Sequence, residues 1–219
     1  MIPIEISEEV KSKCPDLQLG CIKCNVEVAS NYPELLQLIE DELHLLQSEI
    51  QVEEIAKIPI INASRIGYKN LGKDPARYRL SAEALLRRVV KKKGLYQVNN
   101  VVDALNLVSV KYGFSIGGYD ADKVKGSVIL GVGKKEEPYE AIGRGELNIQ
   151  FLPIFRDDLG AFGSPTSDST RTMVTQKTST FLMIIFNFGS QNNLEETMNY
   201  ASHLLEKYAS ASDFETKII

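Results

Sequence analysis

The stretch "NNVVDALNLVSVKYGFSIGGYDADKVKG" (residues 99–126) contains the change of hydrophobic pattern on which the fold prediction depends. Its first half places apolar residues at helical spacing and ends at Gly113, a residue type that commonly terminates helices. After Gly113, short apolar runs are bounded by Gly and Asp, which is typical of strands and turns. The stretch therefore predicts a helix that is followed directly by a strand.

The same division extends through the rest of the chain. Upstream, "PELLQLIEDELHLLQSEI" from Pro33, with Asn31 as its predicted cap, and "RLSAEALLRRVVKKKG" from about Ser81 both have helical periodicity. Downstream, "SVILGVG", "LNIQFLP" and "FLMIIFNF" predict strands, and "NLEETMNYASHLLEKYA" predicts a closing helix. Helices therefore dominate residues 33–112 and strands dominate residues 113–188, an order that favours an α+β fold over alternating βαβ units.

The N-terminal part of the chain has a pattern of its own. "IPIEIS" and "LQLGCIKCNVEV" alternate as strands do, and "EEVKSKCP" between them predicts a short helix. We therefore predict a strand–helix extension over residues 1–59 that packs on a main domain over residues 60–219, which includes the closing helix.

Composition excludes several classes of protein. We find no apolar run of membrane-spanning length and no signal-peptide pattern, and the three cysteines cannot pair completely, so we expect a cytoplasmic protein without membrane contact. Cys21 and Cys24 have CxxC spacing but lack a second pair, which favours core cysteines. The absence of P-loop, GxSxG and metal-ligand motifs leads us to predict no metal and no cofactor.

Charge is distributed unevenly along this acidic chain, whose formal net charge is −4. Residues 57–95 carry +9 and the remainder carries −13, because the only acids in that window are Asp74 and Glu83. A basic block of this kind is either a solvated face or a surface that binds the phosphates of a polynucleotide. Its cations are Lys57, Arg65, Lys69, Lys73, Arg77, Arg79, Arg87, Arg88, Lys91, Lys92 and Lys93.

A second polar segment, "GSPTSDSTRTMVT" (residues 163–175), places seven hydroxyl side chains around Asp168 and Arg171. Hydroxyl groups can hold a polar ligand or a water, Arg171 offers a planar fork for a carboxylate or phosphate, and Asp168 can accept a proton. Ser, Thr and Asp side chains also bond to their own backbone in turns. The sequence leaves open whether this loop is a binding site or a self-satisfied turn.

The opening stretch resembles the tRNA-editing B3/B4 domain of the β subunit of phenylalanyl-tRNA synthetase and its freestanding relatives. The resemblance covers roughly residues 60–190, and the segments "YRLSAEALLRRVVKKKGLYQVNN" and "GSPTSDSTRTMVTQKT" are similar to the freestanding branch in particular. The residues that carry it are Asn99, Asn100, Val101, Val102, Asp103, Asn106, Tyr119, Asp120, Lys123, Lys125 and Gly126.

This resemblance implies a three-layer β-sandwich of unusual topology with flanking helices, and an activity that hydrolyses the ester of tRNA carrying the wrong amino acid. Two positions depart from the synthetase pattern. Its pocket histidine is replaced in "SIGG" by Gly117, which would leave an imidazole-sized space, and the strand that usually supplies a glutamate offers only Asn187. The resemblance therefore implies a pocket whose polar lining comes from the loop at residues 163–175.

We therefore expect a freestanding aminoacyl-tRNA deacylase that binds the acceptor end of tRNA, with no DNA partner. The alternatives are a non-catalytic RNA-binding or tRNA-binding module and a protein that binds an amino-acid-like small molecule. The predicted catalytic residues are Asp168, Arg171 and Thr172. The predicted pocket residues are Asn100, Gly117, Gly118, Ser164, Thr166, Ser167 and Ser169. The predicted tRNA-binding residues are Arg77, Arg79, Arg87, Arg88, Lys91, Lys92 and Lys93.

Overall fold

The computed structural model describes residues 1–189 and 194–219. The helices in this part of the chain are α1 (Glu8–Lys13), α2 (Pro33–Glu49), α3 (Pro59–Leu71), α4 (Ser81–Val90), α5 (Asn100–Tyr112) and α6 (Leu194–Ala209). The strands are β1 (Ile4–Ile6), β2 (Gln18–Asn25), β3 (Ser115–Asp120), β4 (Val128–Val132), β5 (Glu140–Ala141), β6 (Gly145–Glu146), β7 (Pro153–Asp157), β8 (Gly160–Gly163), β9 (Thr180–Asn187) and β10 (Ser212–Ile218).

Three layers are built around a central antiparallel sheet with the strand order β10-β2-β9-β3. Helices α2, α4, α5 and α6 cover one face of this sheet. The second sheet, in the order β1-β4-β7-β8, covers the other face. The predicted α+β fold with flanking helices is confirmed.

Strand β9 explains why "FLMIIFNF" is almost continuously apolar. Phe181, Met183 and Ile185 enter the core beneath the helices, while Leu182 and Ile184 enter the core between the two sheets. Because successive side chains of a strand point to opposite faces, a strand that is buried on both faces needs apolar residues at nearly every position.

The N-terminal segment contributes to both sheets. Strand β1 pairs with β4 in parallel, and β2 lies between β10 and β9, pairing along all eight of its residues with β9. Strand pairings therefore cross residue 59, and the division into domains at that residue stays a prediction. In the described part of the chain, no helix combines the length and the apolarity that crossing a bilayer requires.

Most predicted helices have the expected limits. Helix α2 begins at Pro33, but the predicted cap at Asn31 is wrong: the cap position is Tyr32, whose side chain makes no capping bond. Helix α5 is capped by Asn99 and is followed by Gly113 in the left-handed conformation, as the pattern indicated. The predicted first residue of the closing helix, Asn193, lies outside the described residues.

Three elements differ from the prediction. Helix α3 was not predicted because its sequence "PIINASRIGYKNL" mixes β-branched residues, Asn and Gly, and tertiary packing overrides such weak propensity. Strand β10 was also missed, since it contains few apolar residues and forms only by pairing with β2. The strand predicted in "LNIQFLP" begins only at Pro153, because the buried Lys73 Nζ donates to the carbonyls of Asn148 and Gln150 and holds that segment as a turn.

Two glycines allow the aromatic core between the sheets to form. Gly117 lies in β3 and Gly163 ends β8. A Cβ atom at either position would overlap the hydroxyl end of Tyr119, which is fully buried. Tyr119 in turn packs edge-on against Phe162 and Phe155, with centroid distances of 5.0 and 6.3 Å. The close approach of backbone and ring therefore requires glycine at both positions.

Replacing Gly163 with Ala is expected to lower the free energy of unfolding by about 2 kcal/mol, because overpacking of a filled core forces side chains or backbone to move. Urea denaturation would measure this change. Gly131→Ala is a matched control in strand β4, where the added Cβ would meet mainly the far end of the Arg156 side chain. Equal stability of the Gly163 variant and the wild type would contradict tight packing of Tyr119.

Candidate functional site

The loop at residues 163–175 connects β8 to β9 and is anchored to three neighbouring elements. The amide of Ser169 donates to the carbonyl of Phe162 at 2.9 Å, and the amide of Ile142, beside the β5–β6 hairpin, donates to the carbonyl of Asp168 at 2.9 Å. The amide of Ser81 at the start of α4 donates to the carbonyl of Pro165 at 2.8 Å. The loop therefore has a fixed position between the hairpin and the helix layer.

Several loop hydroxyls bond within the loop itself. Ser164 Oγ donates to the carbonyl of Ser167 at 2.9 Å and accepts from the amides of Thr166 and Ser167 at 3.2 and 3.1 Å. Ser169 Oγ accepts from the amide of Arg171 and caps the following 3-10 turn. For Ser164 and Ser169 the geometry is that of a self-satisfied turn, in which both side chains shape the loop, and their place in a substrate pocket stays a prediction.

Two buried tyrosines that sequence reasoning missed extend this network. The hydroxyls of Tyr68 and Thr166 lie 2.8 Å apart, and Tyr139 donates to the carbonyl of Ser167 at 2.6 Å. Burial is the largest cause that raises the pKa of both tyrosines, so both stay protonated. No local pattern could have identified them, since Tyr68 is 98 residues from Thr166 in the chain.

Asp168 is the ionisable centre of the loop. Its Oδ1 accepts from the Tyr119 hydroxyl at 2.9 Å and its Oδ2 accepts from the Gly118 amide at 3.2 Å. Asp168 is half-buried. Burial raises the pKa of this carboxyl to about 7, although the hydrogen bonds from Tyr119, Gly118 and the Ser164 amide oppose the rise.

Tyr119 occupies the space that Gly117 was expected to leave open. Burial, followed by the charge of Asp168, raises the Tyr119 pKa well above its ordinary value, so the phenol stays protonated and donates to Asp168. The expectation of an empty imidazole-sized space beside Gly117 is therefore wrong, because the Tyr119 hydroxyl lies there. Gly118, in contrast, reaches Asp168 directly through its amide.

Arg171, predicted to be catalytic, forms an ion pair within the protein. Its guanidinium forms a bidentate ion pair with Asp157, at 3.0 and 2.8 Å, and donates to the carbonyls of Lys123 and Gly160. Burial raises the Asp157 pKa, but hydrogen bonds from Arg171 and from two backbone amides outweigh it and hold the pKa below its ordinary range. Arg171 therefore stabilises the loop instead of offering a free fork to a ligand.

Thr172, predicted to be catalytic, and Asn100, predicted to line the pocket, also have polar partners within the protein. Thr172 is fully buried, and its hydroxyl lies 3.5 Å from the carbonyl of Phe162. The Asn100 amide donates to the carbonyls of Glu27 and Tyr208 and accepts from the amide of Ala29. These bonds join the N-terminal segment to the end of α6, and the place of Asn100 in a substrate pocket stays a prediction.

The basic window divides into paired and exposed cations. The Glu83 side chain is 1% exposed, and its carboxylate pairs with Arg65 at 2.7 Å, with Arg87 at 3.0 Å and with Arg79 at 3.7 Å. Arg79 and Arg87, predicted to bind tRNA, thereby share the charge of the buried Glu83 carboxylate, although the Arg79 side chain stays 45% exposed. Four predicted tRNA-binding cations are exposed and do not pair with Glu83: Arg77, Lys91, Lys92 and Lys93.

The three cysteines are free and buried, as expected of core residues. Burial raises the pKa of the Cys21 and Cys24 thiols to about 12, which makes both poor nucleophiles at neutral pH. Within residues 1–189 and 194–219, no group of three or more His, Cys, Asp or Glu side chains has the geometry to hold a metal ion.

Comparison with known proteins identifies the family. Residues 63–213 match the family model described as the B3/4 domain. Because this match covers more than half of the chain, the protein belongs to the B3/4 domain family, and the resemblance inferred from residues 99–126 is confirmed. No curated protein sequence gave a significant match.

Among solved structures, the fold is similar to an N-terminal fragment of the phenylalanyl-tRNA synthetase beta-subunit from Pyrococcus horikoshii. The two chains are 16% identical, and the alignment has a TM-score of 0.49. It covers 99% of this chain and 50% of that one, so this protein spans half the length of the fragment.

Proposed function

We propose that this B3/4 domain protein binds the acceptor end of tRNA and hydrolyses the ester bond of a mischarged amino acid. The observation that carries the proposal is the Asp168 carboxyl group, which is held by Tyr119 and Gly118 and has a pKa of about 7. A carboxyl group that titrates near neutral pH is suited to accept a proton from an attacking water.

In this mechanism the Asp168 carboxylate is the general base. Its bonds with Tyr119, Gly118 and the Ser164 amide leave one acceptor position, which takes a proton from water as the water oxygen bonds to the ester carbonyl carbon. The ribose oxygen then leaves, takes up a proton and regenerates the hydroxyl end of the tRNA. The products are a free amino acid and uncharged tRNA.

The remaining loop residues act on this base indirectly. Ser164 shapes the turn that places Asp168, and the ion pair of Arg171 with Asp157 fixes the end of the loop. Both are positioning residues, whereas Asp168 is the catalytic residue. The ribose hydroxyl beside the ester can assist the proton transfer, so positioning by the protein supplies much of the rate.

Release of free amino acid from a panel of mischarged tRNAs tests this function, with the correctly charged tRNAs as controls. We expect faster release from at least one mischarged tRNA than occurs in buffer alone. A protein that binds tRNA and accelerates release from none of the panel would contradict the proposed activity.

A second function, a non-catalytic RNA-binding module, is favoured by a different observation. The side chains of Ser164, Ser169 and Arg171 are satisfied within the protein, and Tyr119 fills the space beside Gly117. This arrangement leaves fewer polar groups for a substrate than the loop sequence suggested. Such a module would bind tRNA without releasing amino acid from it.

Both functions require a phosphate-binding surface, which predicts the effect of neutralising Lys91, Lys92 and Lys93 together. The triple substitution to Gln is expected to weaken tRNA binding and to flatten the log–log dependence of affinity on salt by about one unit for each phosphate that the protein no longer neutralises. Filter binding across a salt series would measure the slope. The matched control removes three other exposed lysines, by substitution of Lys134, Lys135 and Lys207.

The two variants have the same net charge. A local tRNA-binding surface therefore predicts a loss of affinity only on substitution of residues 91–93, whereas a general charge effect predicts the same loss in both. An equal loss of affinity in both variants would contradict a tRNA-binding surface at residues 91–93. A wild type that binds no tRNA at low salt would contradict both RNA-based functions.

A further inference from the structure

A groove of about 620 Å³ lies between α2 and the segment that follows α4, apart from the Asp168 loop. Apolar side chains line it together with polar ones, which include Gln37, Glu40, His44, Gln97 and Asp103, and the exposed Lys92 is also part of the lining. Its lining includes Leu36, Ile39, Leu43, Lys92, Leu95 and Tyr96. A groove that combines apolar side chains, hydrogen-bonding groups and a neighbouring run of cations suits a ligand that is flat, polar at its edges and negatively charged.

Tyr96 is the exposed aromatic ring of this groove. The ring is 60% exposed even though the Arg88 guanidinium lies 3.9 Å from its centroid. Arg88 Nε is buried and has no hydrogen-bond partner in the described part of the chain, so this guanidinium is held by the ring and not by a carboxylate. A tyrosine stacked with an arginine and still open to solvent is a surface on which nucleobases stack.

The charges around the ring are arranged for a nucleotide. Lys91, Lys92 and Lys93 are exposed next to Arg88, and the segment from residue 87 to residue 97 contains no acid. The opposite wall, on α2, presents Glu40, which can accept hydrogen bonds from the amino groups of bases. Phosphates would therefore lie on the lysine side and base edges on the α2 side.

Helix α4 relates this groove to the loop. Its first residue, Ser81, bonds to the carbonyl of Pro165 in the loop, and its last residue, Val90, precedes Lys91. The ten residues of the helix extend for about 15 Å. A 3′-terminal nucleotide placed at Asp168 would therefore have its unpaired neighbours further upstream available for Tyr96.

We propose that the groove binds unpaired nucleotides near the 3′ end of RNA, with one base stacked on Tyr96 and its phosphates on Lys91, Lys92 and Lys93. This inference rests on the proposed function, because it specifies how a tRNA acceptor end is held. RNA is favoured over a protein partner because the exposed ring lies within a run of five cations without an acid.

The test compares an RNA hairpin that carries a short unpaired 3′ tail with the same hairpin without the tail. We expect the wild type to bind the tailed RNA about tenfold more tightly, the gain of one stacked base. Tyr96→Ala is expected to abolish this gain and to leave the affinity for the blunt hairpin unchanged. Tyr96→Phe keeps the ring and is expected to retain the gain.

A tryptophan probe gives an independent readout, because the chain contains no Trp. In Tyr96→Trp the sole tryptophan is expected to be quenched by the tailed RNA and not by the blunt hairpin. Leu159→Trp is the matched control, since Leu159 is 65% exposed in the β7–β8 turn of the second sheet. The fluorescence of a tryptophan at this position is expected to stay unchanged when either RNA is added.

Three results would overturn the inference: no preference for the tail in the wild type, an equal loss for both RNAs in Tyr96→Ala, or no quenching in Tyr96→Trp. A groove that serves a protein partner would give the first and the third. Deacylation by the wild type is measured separately. Continued amino-acid release without a tail preference would therefore reject the groove and keep the proposed function.

Discussion

Replacing Asp168 with Asn is expected to slow the release of amino acid from mischarged tRNA by about a hundredfold or more, the usual effect of losing a general base. Asn is nearly isosteric and can still accept a hydrogen bond from Tyr119, but it cannot take a proton from water. Single-turnover measurement of amino-acid release, with saturating enzyme, would report the chemical step. Binding of tRNA by this variant is expected to stay close to that of the wild type.

The pH dependence provides the second signature of Asp168. Only the ionised carboxylate accepts a proton, so the wild-type rate is expected to rise as the pH increases through about 7 and then to level off. The Asp168→Asn variant should lose this titration. A wild-type profile without a transition near pH 7 would contradict Asp168 as the base.

The contribution of Asp168 to the free energy of unfolding should decrease as the pH rises, whereas the rate of deacylation should increase. The folded-state pKa of Asp168 is raised from 3.8 to about 7, so the folded protein holds the proton more tightly than the unfolded chain. Its contribution to stability is therefore lost as the pH rises between these two values. In Asp168→Asn this contribution to the pH dependence should disappear.

The matched control for activity is Asp122→Asn, an exposed aspartate in the turn after β3. Its rate and pH profile are expected to equal those of the wild type. A comparable loss of activity in both variants would point to a general effect of removing negative charge and would exclude Asp168 as the specific base.

Replacing Arg171 with Met is expected to lower the free energy of unfolding by about 3 kcal/mol, because it leaves the carboxylate of Asp157 buried without its ionic partner. The Asp157 side chain has no exposed surface, whereas the Arg171 side chain is 27% exposed. Urea denaturation at neutral pH would measure the loss. Arg171→Lys is expected to recover only part of it, since lysine cannot form the bidentate pair.

Acid should weaken the same interaction in the wild type. The pKa of Asp157 lies below 3.8 in the folded protein, so the stability that it contributes is present above that value and is lost as the pH falls through the folded-state pKa. Arg171→Met should remove most of this acid sensitivity. The control, Arg144→Met, changes an exposed arginine at the tip of the β5–β6 hairpin and is expected to leave stability unchanged.

Comparison of Arg171→Met with Asp168→Asn also separates the roles of the two loop residues. If Arg171 only positions the loop, deacylation by the Arg171→Met protein that remains folded should fall far less than deacylation by Asp168→Asn. Full stability of Arg171→Met together with a hundredfold loss of rate would instead indicate that Arg171 contacts the substrate. It would also contradict the structural role of its ion pair.

Sequence patterns predicted the elements whose cause is local. The α5–β3 transition follows from apolar spacing that changes at Gly113, and the capping bond of Asn99 lies within the helix that it starts. Strand β9 could be recognised because burial on both faces requires a continuous apolar run. Strand β10 could not, because its polar sequence becomes a strand only when β2 is beside it.

The sequence by itself determined the α+β class, the family, the basic window and the loop that contains Asp168, since each of these is written in composition, spacing or motif. Only the tertiary structure decided what the side chains do. It brought Asp157 to Arg171, Glu83 to three arginines and Tyr119 into the space beside Gly117. The physical reason is that a hydrogen bond or ion pair depends on distances of a few ångströms between residues far apart in the chain. Burial, which moves the Asp168 pKa towards neutrality, likewise exists only once the layers have packed.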